Sequence, residues 1–215
     1  MIKFFTNREV SKRLDINLSK WKRWSREFLP PDPLGGLQSG YARQYNLDDA
    51  LSVYLGGYLV TGLKFSIPEA KQILSDLRAW MLSNNFYYYF NHVNGKNTDA
   101  DQPAGDYRIY ISADKTPANG VLRFCYHIRL ILACERVSSD APNTIREHYL
   151  EEVIDSPGET SPIASPVFAP SVKGSRVVYL TRIYKKFMES LGIAVDRTGQ
   201  GGRKIAPALS AERPV

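Results

Sequence analysis

The stretch NLSKWKRWSREFL, residues 17–29, sets Lys20, Lys22, Arg23 and Arg26 around Trp21 and Trp24. Each of the four cations donates hydrogen bonds and carries a positive charge. An arginine fork matches phosphate oxygens, or the O6 and N7 edge of a guanine. Such a segment is either an amphipathic helix with a wet basic face or a basic face built to meet something acidic. The distribution of charge bears on the choice. Residues 1–30 hold eight Lys/Arg against three acids, a balance of +5 out of +6 for the whole chain, so the other 185 residues contribute only +1. An imbalance gathered on one short segment is the electrostatic footprint expected of a protein that meets a polyanion.

A second pair of reactive types is Cys125 and His127, two apart and therefore on one face of a strand. A metal centre needs three or four ligands, and no spaced Cys/His set supplies them, so neither a metal nor a cofactor is expected. Phosphate loops, nucleophile elbows and zinc-hydrolase motifs are also missing, which argues against an enzyme. Cys125 and Cys134 stand nine apart, an odd offset that turns them to opposite sides of one strand. Two buried, reduced thiols are expected.

The elements that would carry the cations can be read from their ends. Thr6-x-x-Glu9 is a capping box for a helix over 7–14, with Val10 and Leu14 inward. After a short turn at Asp15-Ile16, Asn17 caps a second helix over 18–27. Trp21, Trp24 and Phe28 recur at i, i+3, i+7 and form its apolar stripe, which leaves the cations outside. Two helices joined so closely suggest a helix-turn-helix. Pro30, Pro31 and Pro33 stop further helix. Gly35, Gly36 and Gly40 punctuate the chain, and Tyr41 to Tyr45 alternate like a short strand or ribbon. Asn46 caps a helix over 47–62, with Leu47, Leu51, Tyr54, Leu55, Tyr58 and Leu59 inward. Ser66-x-x-Glu69 opens another over 67–82, burying Ala70, Ile73, Leu74, Leu77 and Met81.

Beyond residue 83 the pattern changes. DYRIYISA and GVLRFCYHIRLILACERV alternate with period 2 and read as a hairpin, the second strand long enough to need a bulge. Leu122, Phe124, Tyr126, Ile128, Leu130 and Leu132 line one face of it; Arg123, Cys125, His127 and Arg129 line the other. Residues 143–154 suggest a short helix, RVVY a strand, and Leu180 to Leu191 an amphipathic helix. The fold class expected is α+β. An all-α N-terminal domain with a small ribbon (1–83) precedes an α+β domain with a smaller sheet (84–195) and a disordered basic tail (196–215). Neither a signal sequence nor a membrane-length apolar run is visible, so a cytoplasmic protein is expected.

The ordered set FTNREVSKRLDINLSKWKRW, Leu29-Pro30, GYARQYNLDDAL and GLKFSIPEAKQIL resembles the winged helix-turn-helix domain of the MerR family of bacterial transcription regulators, over about residues 4–82. Three features differ from that family. The ribbon is one residue longer, Lys22-Arg23-Trp24 replaces an Arg-Tyr-Tyr run, and no long coiled-coil helix follows the fourth helix. The resemblance implies double-stranded DNA as partner and a homodimer or higher oligomer. Read this way, the second helix enters a major groove. Lys20 and Arg23 are candidates for base edges, and Lys22 and Arg26 for phosphates. Asn17 and Ser19 can donate at the helix N-terminus, itself an anion site. Tyr41 and Arg43 alternate onto one face of the wing, and Gly40 lets that ribbon turn close to DNA. The domain after residue 83 would sense an effector or protein partner, or oligomerise. An architectural, excisionase-like accessory factor is the alternative within the same DNA-binding class. A protein-interaction module whose helix-turn-helix no longer touches DNA is a third reading.

Overall fold

The computed structural model describes residues 4–32, 43–87, 105–113, 123–136, 145–155, 159–161 and 174–193. These form a mixed α+β structure with two antiparallel sheets. In chain order the elements are β1 (Phe5–Thr6), α1 (Asn7–Arg13), α2 (Leu18–Phe28), β2 (Gln44–Tyr45), α3 (Leu47–Thr61), α4 (Ile67–Ser83), β3 (Asp106–Ala113), β4 (Phe124–Arg136), β5 (Ile145–Asp155), β6 (Glu159–Ser161), β7 (Arg176–Tyr179) and α5 (Leu180–Ser190).

The helix starts follow from side-chain chemistry. Thr6 and Glu9 close a reciprocal capping box on α1, and Ser66 and Glu69 do the same on α4. Asn17 and Asn46 accept from the first free amides of α2 and α3. Asp15 takes a left-handed φ of 51°, which folds the chain sharply between α1 and α2. On α2, Trp21 and Trp24 are buried and Phe28 is half-buried. They seat on α3, where a Cβ at Gly56 would lie 2.6 Å from the Phe28 ring, and one at Gly57 would overlap Trp24. The two glycines therefore let α2 and α3 approach closely. α3 is buried around most of its girth, through Leu47, Ala50, Leu51, Val53, Leu55 and Leu59, while Tyr54 and Tyr58 are only half-buried. On α4, Trp80 is buried together with Ala70, Ile73, Leu77 and Met81, whereas Leu74, expected inside, is only half-buried.

β1 and β2 pair antiparallel, Phe5 with Tyr45 and Thr6 with Gln44, so the ribbon is tied to the start of the chain. The larger sheet runs β6-β5-β4-β3-β7. β3 and β4 form the expected hairpin, and the ladder between β4 and β5 slips between Ile131 and Ala133, a β-bulge in the long strand. Residues 145–155 are a strand and not the short helix expected over 143–154. Eleven register pairs with β4 override the local preference of that segment. The cysteines also differ from expectation: Cys125 is half-buried and Cys134 is exposed. Phe124, Tyr126 and Ile128 stay buried, but Leu132, the unpaired residue of the bulge, is 59% exposed.

One hydrophobic cluster runs from Val10 on α1 to Leu191 after α5, across residue 83. Tyr54 on α3 meets Phe187 on α5, ring centroids 5.4 Å apart, and Phe65 meets Phe124 edge-on at 5.9 Å. Polar ties accompany the rings. The Trp80 indole donates to Glu152 at 2.8 Å, Tyr126 donates to Asp76 at 2.6 Å, and Arg13 donates to the Leu191 carbonyl at 2.6 Å. Burial and the Asp76 carboxylate together push the Tyr126 hydroxyl well above the ordinary tyrosine range. No helix among the described residues is long and apolar enough to cross a membrane.

Candidate nucleic-acid interface

The cations of α2 are sorted by its packing. At about 100° per residue, burying Trp21, Trp24 and Ser25 turns Ser19, Arg23 and Arg26 outward, with Lys20 and Lys22 on opposite flanks. Ser19, Lys20, Lys22, Arg23 and Arg26 are all exposed. Lys20 lies back over its own helix, its ammonium 4.8 Å from the centre of the Trp24 ring. On the same flank Glu27 forms an ion pair with Lys71 of α4 at 2.9 Å. That bond holds the Glu27 carboxyl below its usual range, with smaller help from Arg23 and Arg26. The only acid on α2 is thus engaged away from the outward face.

The N-terminus of α2 is less open to an anion than its sequence suggests. Asn17 Oδ1 already accepts from the Ser19 amide at 2.9 Å and the Lys20 amide at 3.3 Å. What remains for a ligand there is the exposed Asn17 amide group and the Ser19 hydroxyl.

The other flank faces the ribbon. Lys22 and Arg26 from α2 and Arg43 beside β2 line one open concavity of about 520 Å³, with Asn7, Asp32 and Tyr45. The ribbon is held there by packing. Trp21 meets the Tyr45 ring edge-on at 5.6 Å, and the Tyr45 hydroxyl donates to Asn7 at 2.7 Å. Arg43 lies 5.7 Å from the centre of the Tyr45 ring, and its charge partly offsets the effect of burial, which raises the Asp49 carboxyl. Three cations from segments about twenty residues apart thus share one surface. Asn7, Asp32 and Tyr45 were not foreseen in this role. Asn7 is an ordinary first-turn residue, and Asp32 arrives only because the Pro30-Pro31 bend returns the chain toward α2. Gly40 and Tyr41, expected in the wing, fall outside the described residues, as does the basic tail from residue 196.

Among the described residues no group of three or more His, Cys, Asp or Glu could hold a metal ion. No protein-family model, curated protein or solved structure matches the chain.

Proposed function

We propose that the protein is a sequence-specific DNA-binding transcription regulator whose first 83 residues act as a winged helix-turn-helix. The observation that carries this reading is the convergence of Lys22, Arg26 and Arg43 on one concavity, while Trp21 and Trp24 are spent on the core. A merely solvated basic helix gives no reason for the ribbon's arginine to join it. In the proposed complex α2 lies in a major groove, with Arg23 and Lys20 reaching base edges. Lys20 must leave the Trp24 ring to do so. Lys22, Arg26 and Arg43 hold backbone phosphates, which fix register and orientation. Asn17 and Ser19 add neutral donors at the helix start, and Gly40 and Tyr41 extend the wing along the flanking backbone. The five-stranded sheet and α5 serve as the sensing or oligomerising part. The working form is a homodimer or higher oligomer on a symmetric site, in the cytoplasm and on the nucleoid.

The test is fluorescence anisotropy of the purified chain against DNA from upstream of its own gene and against a scrambled duplex. The regulator reading expects tight binding to the first and weak binding to the second. Equal binding to both would replace it with the architectural reading. Absence of binding to either would make α2 a protein-contact surface.

A further inference from the structure

The face of the large sheet turned away from the helices carries a row of side chains that the DNA-binding reading does not use. On β4, Cys125 Sγ lies 3.6 Å from His127 Nε2. His127 Nδ1 lies 3.7 Å from Glu151 Oε1 on β5, and this buried nitrogen has no hydrogen-bond partner among the described residues. The same Glu151 oxygen accepts from Arg129 Nε at 2.8 Å. The Arg129 guanidinium lies 4.6 Å from the Tyr110 ring and 4.3 Å from the Tyr149 ring, so its position is fixed on both sides. His127, Glu151 and Arg129 are only 15%, 16% and 11% exposed, so water screens them weakly. Arg123, exposed, immediately precedes β4 two residues before Cys125, and Asp155 is the register partner of Cys125 on β5.

We infer that Cys125, His127 and Glu151 form a reactive-thiol site, with the thiol as nucleophile, the imidazole as its base and peroxide as the class of reactant. The order thiol, imidazole, carboxylate is the arrangement that activates a weak nucleophile through an oriented base. With the imidazole proton on Nδ1, Nε2 faces the thiol as acceptor. Proton transfer from Sγ to Nε2 leaves a thiolate beside an imidazolium whose Nδ1–H meets the Glu151 carboxylate. The thiolate attacks one peroxide oxygen. An S–O bond forms and the O–O bond breaks, the sulfur is oxidised to a sulfenic acid, and the departing hydroxide takes the proton from His127 and leaves as water. Cys134 lies nine residues along the same strand, roughly 30 Å away at about 3.3 Å per residue. A bond between the two within one chain is therefore excluded, and the sulfenic acid persists long enough to be trapped.

Cys134 supplies an internal control, being the more exposed of the two thiols. The full chain is treated with hydrogen peroxide in the presence of dimedone, and labelling of the two cysteine peptides is followed by mass spectrometry. The site expects Cys125 to label at least about tenfold faster than Cys134, the inverse of their exposures. His127→Gln should bring Cys125 down to the Cys134 rate without changing Cys134, and added imidazole should restore it. Cys134 labelling as fast as Cys125 in the unmodified protein would overturn the inference, and that comparison needs no variant to fold. A His127→Gln protein with an unchanged melting temperature and an unchanged Cys125 rate would overturn it equally.

Discussion

Arg23 and Trp24 are neighbours in the chain, yet the fold turns one to solvent and the other into the core. Arg23→Ala should therefore remove selective DNA binding while leaving the melting temperature nearly unchanged. Trp24→Ala should cost about 3–5 kcal/mol of stability, measured by denaturant unfolding. Equal melting losses in the two variants would contradict this sorting of the helix faces. Asp32 makes a complementary prediction. It stands in the concavity with Lys22, Arg26 and Arg43, where its charge would repel a phosphate of the proposed complex. Asp32→Asn should tighten binding about two- to fivefold, the scale of an exposed charge pair, and anisotropy titrations would read it. The cations themselves were legible from the sequence, because a 3.6-residue period separates them from the tryptophans without any knowledge of the fold. Asp32 was not, since its place depends on where a proline-rich bend sends the chain.

Among the elements, those with chemical punctuation were the legible ones. Two capping boxes and two asparagine caps marked the starts of α1, α4, α2 and α3, and strict alternation marked β3 and β4. β5 was hidden because its identity lies in its partner: Thr144-x-x-Glu147 at its start reads as a helix cap, and pairing along β4 decides it instead. The seat of α2 on α3 was hidden for a similar reason. Gly56 and Gly57 inside a helical pattern read as weak helix formers, whereas their function is to leave room for Phe28 and Trp24. Alanine favours helix over glycine by about 1 kcal/mol in an open site. Gly57→Ala should nevertheless lose about 1–3 kcal/mol, because the added methyl meets the Trp24 ring. Urea unfolding would show it, and a gain in stability would mean that α2 can retreat from α3.

At the scale of the molecule, the hydrophobic cluster passes through α3, α4, the sheet and α5 without a break at residue 83. Thermal unfolding followed by tryptophan fluorescence and by far-UV circular dichroism should therefore give coincident single transitions. The tyrosines set an alkaline limit. Burial raises Tyr54, Tyr87, Tyr107 and Tyr126 above their ordinary value. Their stabilising contribution is complete below about pH 10 and falls as pH rises past it, because the unfolded chain releases those protons first. Urea midpoints measured upward from neutral pH should drop there, and Tyr126→Phe should make the drop shallower. The central claim concerns a basic surface assembled from α2 and the ribbon, and its most direct test is the salt dependence of DNA affinity. Four to six phosphate contacts predict a log–log slope of about −4 to −5 per chain, reduced by about 1 in Arg43→Ala. A slope near zero would contradict the account.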